Sequence, residues 1–130
     1  MNALDENIPD DQREILLNWR MRFREIGRDI GRFGMQDDEI IPLLHQLGPI
    51  TFFTRDLDYF RHNLCHANYC LVYLDINDNE VAGFIRRFLR HPAFNTEAKR
   101  MGKVIRVDHT RLNVWRLHSE KQERLFWLEP

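Results

Sequence analysis

Ile50-Thr51-Phe52-Phe53-Thr54 and Tyr69-Cys70-Leu71-Val72-Tyr73-Leu74 are continuous runs of apolar, β-branched and aromatic residues. A strand with one wet face alternates polar and apolar side chains. These runs do not alternate, so each belongs to a strand covered on both faces. Such strands occur almost only in parallel sheets flanked by helices, which makes the chain an α/β protein.

The flanking segments supply the remaining elements. Met1–Leu4 reads as a short strand. Pro9 can open a helix, Asp10 and Asp11 suit its positive end, and Ile15, Leu16 and Trp19 give an apolar stripe, so a helix is predicted from about Pro9 to Arg20. Met21-Arg-Phe-Arg-Glu-Ile26 alternates with period two and reads as a half-buried strand. Gly27, Gly31 and Gly34 punctuate a loop. Asp37 reads as the N-cap of a second helix whose buried face is Ile40, Ile41, Leu43, Leu44 and Leu47, with Pro42 tolerated in its first turns and Gly48-Pro49 ending it. A short helix follows Thr54, and Val81, Phe84, Ile85, Phe88 and Leu89 form the stripe of a third long one. The order is β-α-β-α-β-(short helix)-β-α, a mostly parallel central sheet with helices on both faces.

Beyond residue 100, Lys103–Val107, Arg111–Leu117 and Glu123–Leu128 read as strands, with a turn at Ser119–Gln122. They predict an antiparallel β-hairpin added to the sheet or serving as a dimer surface. One domain of 130 residues is expected, with a core over 1–92 and a basic C-terminal extension over 93–130.

Composition narrows the class. With 43% hydrophobic and 30% charged residues the chain is an ordinary globular protein. No apolar run approaches the roughly 20 residues of a membrane span, and the opening residues carry no basic-then-apolar leader. Cys65 and Cys70 make no disulfide framework, and a cytoplasmic protein is expected. Residues 1–80 hold 8 Lys/Arg against 15 Asp/Glu, whereas residues 81–130 hold 11 against 5. That asymmetry fits a nucleic-acid surface beside an acidic site, and equally two halves of one fold attracting each other.

Acidic residues follow the apolar runs. In an open parallel sheet, residues just past the strand ends converge on one crevice. Carboxylates converging there repel one another unless a hard cation neutralises them. Asp5, Glu6 and Asn7 follow the first strand; an Asp at such a point is also a common turn residue. Asp56 and Asp58 follow Thr54, where they can share a cation or cap the short helix. Asp37, Asp38 and Glu39 open the second helix, where Asp37 as a cap and Glu39 as its capping-box partner are a sufficient structural account.

Together these blocks resemble the PIN-like toxin family, small nuclease-fold proteins distantly similar to VapC-type toxins. The resemblance rests on Asp5-Glu6-Asn7, Asp37-Asp38-Glu39-Ile40 opening a helix, and Thr54-Arg55-Asp56-Leu57-Asp58-Tyr59 after a strand, and covers roughly residues 1–90. It implies a PIN-like three-layer α/β/α fold and an endoribonuclease dependent on Mg²⁺ or Mn²⁺. Asp5, Asp37, Asp56 and Asp58 take the metal-binding and catalytic role, supported by Glu6, Asn7, Glu39 and Thr54. It also implies RNA as substrate, a cognate antitoxin as partner, and 5′-phosphate and 3′-hydroxyl products. The chain departs from VapC-type toxins in having no separate mid-helix glutamate, unless Glu39 serves, and in its long residues 101–130. A catalytically degenerate PIN-like protein- or RNA-binding module is the alternative. A flavodoxin-like or receiver-type domain is a third reading, opposed by the lack of a downstream Thr/Lys pair.

Other groups carry less. His62, Cys65, His66 and Cys70 match no standard zinc spacing. Arg55, Arg86, Arg87 and Arg90 are candidate RNA contacts; the last three also suit a solvated helix C-terminus. Trp115, Phe126 and Trp127 can stack on bases, or fill a hairpin core or dimer contact.

Overall fold

The structure, a computed structural model, describes residues 1–127. Its seven strands form one sheet: β1 Asn2–Leu4, β2 Arg24–Glu25, β3 Ile50–Thr54, β4 Tyr69–Leu74, β5 Lys103–Val107, β6 Arg111–Arg116 and β7 Glu123–Phe126. The spatial order is β2-β1-β3-β4-β5-β6-β7. The first five strands are parallel, and β6 and β7 run antiparallel. Four helices flank the sheet: α1 Asp10–Asn18, α2 Asp37–Gln46, α3 Val81–Arg90 and α4 Glu97–Arg100.

The two continuous runs are interior strands, and every side chain of β3 is buried. Alternation along the strands splits the core in two. Leu4, Phe53, Val72, Leu74 and Ile105 pack with α1 and α3, while Ala3, Phe52, Leu71 and Val104 pack with α2 and Tyr59 on the other face. The protein is therefore an α/β domain with helices on both faces of a mostly parallel sheet. No helix among the described residues is long and apolar enough to cross a membrane.

Several expected boundaries move, each for a local reason. The first helix stops at Asn18 rather than Arg20 because Arg20 adopts φ +60. There the Arg20 N–H donates to the Leu17 carbonyl and the Met21 N–H to that of Leu16, a left-handed cap sealed by Met21 against the core. The strand expected over Met21–Ile26 keeps only Arg24 and Glu25, because the chain reaches β1 late and Gly27 at φ +94 turns it away. The cap of α2 is Gln36, not Asp37; Asp37 is its first helical residue. Pro42 lies inside α2 and leaves the Asp38 carbonyl without its donor from residue 42.

The C-terminal stretch is more integral than a hairpin added to the edge. β5 is an interior strand, parallel to β4, with Val104, Ile105 and Val107 fully buried, and the antiparallel part is β5-β6-β7. α4 was not legible as a helix; its Arg100 is buried and donates from Nε to Thr51 Oγ1 at 2.9 Å. β7 ends at Phe126, and Leu128, the expected end of that strand, lies outside the described residues.

Candidate metal centre

The order β2-β1-β3-β4-β5 places the topological switch between β1 and β3, where α1 leaves β1 to one face, 3₁₀ turns leave β3 to the other, and a crevice opens at the carboxyl ends of the strands. Asp5 follows β1 and Asp56 follows β3, so both stand at that crevice. α2 begins there as well and contributes Asp37. A 3₁₀ turn at Leu57–Tyr59 brings in Asp58, whose backbone N–H donates to Asp56 Oδ1 at 2.9 Å.

One carboxylate oxygen each from Asp37, Asp56 and Asp58 lie within 4.8 Å of one another. The one ion pair among these three in the described residues is loose, Asp58 to Arg61 at 3.9 Å. Asp5 stands outside this trio. Its Oδ2 accepts from Thr54 Oγ1 at 2.7 Å and its Oδ1 from the Glu6 N–H at 2.8 Å. Burial pushes the Asp5 carboxyl above the usual carboxylate range; these two hydrogen bonds pull it back, and the charges of Asp37 and Asp56 raise it further.

Tyr59 links the two parts. Its side chain is buried, and its hydroxyl makes no hydrogen bond of good geometry among the described residues. Burial, followed by the Asp5 charge, the Asp37 carboxylate that the hydroxyl faces and the Asp56 charge, raises its proton affinity so far that it stays a neutral donor. A groove of about 400 Å³ continues from the carboxylates, with Ile41, Pro42 and Leu64 as apolar wall and Arg61 at its rim.

Thr54 organises the strand end. Besides donating to Asp5, its hydroxyl accepts the Asp56 N–H at 3.1 Å and Asn7 Nδ2 at 3.4 Å. Asn7 Oδ1 in turn accepts the Arg55 N–H at 3.1 Å. Glu6 holds the glycine loop instead: its Oε1 accepts the Gly34 N–H at 2.8 Å, and a Cβ on Gly27 would meet that same oxygen at 2.5 Å. Glu39 is committed to Arg32 and to the Gln36 N–H at 3.2 Å, the capping arrangement shifted one residue from the expected one.

The candidate cations lie elsewhere. Arg55 donates to the carbonyls of Leu74 and Ile76 and to Asp78, tying β3 to the turn after β4. α3 leaves the carboxyl end of β4 and runs back along the sheet, which carries Arg86, Arg87 and Arg90 away from the carboxylates. Arg86 stacks on Trp19 and Arg87 on Trp127. The Cys/His group is dispersed: His62 stacks on Trp115, His66 on His45, and Cys70 is sealed in β4.

Two residues of the site were missed in the sequence. Tyr59 closes the Thr54–Tyr59 block, and nothing in that pattern gives it a role of its own. Arg13 is buried, and its Nη2 donates to the carbonyls of Asp5 and Glu6 at 3.1 and 3.0 Å while its Nε pairs with Glu25 at 3.0 Å. The available signal was its place three residues before Leu16, on the face of α1 that meets the sheet. No protein-family model, curated protein or solved structure matches this chain.

Proposed function

We propose that the chain is a PIN-like endoribonuclease dependent on Mg²⁺ or Mn²⁺, the cytoplasmic toxin of a toxin–antitoxin pair, working as a homodimer on RNA and neutralised by a cognate antitoxin. What carries the reading is the trio of Asp37, Asp56 and Asp58, drawn from α2, the end of β3 and a 3₁₀ turn, beside a buried phenol with no well-formed hydrogen bond among the described residues. Three anionic oxygens within 4.8 Å suit a hard cation, bound directly or through its waters, and the donor set contains no nitrogen or sulfur that would favour zinc.

Asp37, Asp56 and Asp58 would hold the cation, which would supply charge neutralisation at a phosphodiester and acidify water. Asp5, held by Thr54 and by the Glu6 N–H, is the proton acceptor, since burial has raised its proton affinity. Tyr59 is the neutral donor facing the carboxylates.

Cleavage of a mixed-sequence RNA in Mn²⁺ tests the reading. Native protein should cut it, and Asp56→Asn or Asp37→Asn should lower the rate at least about a hundredfold while keeping the fold, in line with loss of metal-assisted chemistry. An RNA left intact by native, Mn²⁺-loaded protein would favour the second reading, a catalytically silent PIN-like binding module. The engagement of Glu39 by Arg32 and the Gln36 N–H favours that module, since it removes one acidic group from the crevice. A receiver-type phosphoryl-transfer domain fits less well, because β4 and β5 run out into Asp75 and Asp108 rather than a Thr/Lys pair.

A further inference from the structure

Side chains alternate between the two faces of each strand. Phe53, Leu74, Ile105, Leu112 and Leu125 pack into the core with α1 and α3. Their neighbours Thr54, Tyr73, Arg106, Asn113 and Arg124 therefore point to the opposite face. These five are in register with one another, Thr54 with Tyr73, Tyr73 with Arg106, Arg106 with Asn113, and Asn113 with Arg124. They form one row across β3 to β7, roughly 19 Å long at the usual strand spacing. The row starts at the hydroxyl that holds Asp5.

α2 and the 3₁₀ turns cover the other end of this face, where Ile50, Phe52, Leu71 and Val104 are buried. Along the row the cover stops. Tyr73, Arg106 and Asn113 are half-exposed and Arg124 is exposed. Arg111 and Phe126, paired in the neighbouring register, share the face, and Phe126 is 65% exposed. Arg106 is steadied by Asp75 at 2.5 Å, while Arg111 and Arg124 have no acidic partner among the described residues. This partly open sheet face carries two aromatic rings and three guanidinium groups, of which Arg106 is paired with Asp75, and it offers stacking to unpaired bases and positive charge to phosphates.

We infer that this face is the track for single-stranded RNA, leading from the sheet edge at Arg124 to the carboxylates at Asp5 and Asp56. The choice of RNA as occupant rests on the nuclease reading above; the charge and the aromatic rings are independent of it. Arg106, Arg111 and Arg124 contact phosphates, and Tyr73 and Phe126 stack on bases.

The test uses the full chain and a short fluorescein-labelled single-stranded RNA in EDTA, read by anisotropy. Phe126→Ala should weaken binding about tenfold. Arg124→Ala should reduce the slope of log affinity against log salt by about 0.7, the value for one phosphate contact on a single strand. Both variants should still bind Mn²⁺ as the native protein does, and Asp56→Asn should lose Mn²⁺ yet hold the RNA. Native protein that fails to bind the RNA, or variants that bind it unchanged, would overturn the track while leaving the metal site standing. Variants that lose self-association in sedimentation with RNA affinity unchanged would overturn it in favour of a contact between two copies. Loss of RNA binding in the variants with no Mn²⁺ bound by native protein would support the track and sink the metal centre.

Discussion

Thr54 Oγ1 donates to Asp5 Oδ2 at 2.7 Å, joining the ends of two adjacent parallel strands across 49 positions of sequence. The same oxygen accepts the Asp56 N–H, so one hydroxyl sets both the first aspartate and the turn that delivers the next two. The hydroxyl is what the position requires: a valine has the shape but no donor, whereas a serine keeps the donor.

Thr54→Val should therefore lower stability by about 1–3 kcal/mol, the cost of leaving buried polar groups unpaired, and Thr54→Ser should recover most of it. Urea unfolding of the three proteins checks this. A valine variant within a few tenths of a kcal/mol of native would show that the hydroxyl does not organise the strand end.

Asp5 gives the protein a pH signature. Its folded proton affinity is raised above the unfolded one, chiefly by burial, so the folded state holds more protons across the interval between the two values. The contribution of Asp5 to metal-free stability should therefore fall as pH rises from about 4 through that interval and stay lower above it. Thermal midpoints in EDTA should show native protein losing ground to Asp5→Asn as pH rises, and the opposite trend would refute the assignment.

Arg13→Met should cost about 3 kcal/mol or more, because it leaves the Asp5 and Glu6 carbonyls and the buried side of Glu25 without their cation. Thermal unfolding at neutral pH reads the loss. A variant as stable as native would mean that the turn after β1 is held by the sheet alone.

Tyr59→Phe removes a buried hydroxyl with no well-formed hydrogen bond among the described residues. Stability of the metal-free protein should stay level or rise by up to about 1 kcal/mol, since no hydrogen bond is lost. A fall of that size in urea unfolding would show that the phenol is bonded to the Asp37 carboxylate it faces.

The parts of the fold that the sequence made legible were those set by local pattern. The unbroken runs at 50–54 and 69–74 read as covered strands and are interior ones, and the stripe of Phe84, Ile85 and Phe88 faces the sheet as its spacing required. Elements set by tertiary contact were not. The alternation of Met21–Ile26 promised a full strand, but pairing with β1 reaches only two of its residues. Asp37 had the chemistry of a cap, yet Gln36 takes the place because Glu39 reaches back to the Gln36 N–H. For the candidate site, sequence order put Asp5, Asp37, Asp56 and Asp58 at one crevice. It could not separate Asp5, held by Thr54, from the trio, nor show that Tyr59 turns its hydroxyl toward them.

The proposed metal centre requires Asp37, Asp56 and Asp58 to share one cation. A calorimetric Mn²⁺ titration of native protein beside Asp37→Asn and Asp56→Asn, with fold checked by circular dichroism, tests this most directly. One Mn²⁺ per native chain, with affinity lowered at least about tenfold in each variant as expected for loss of a charged ligand, is the predicted result. No binding to the native chain, or variants that keep the fold and bind Mn²⁺ as it does, would contradict it.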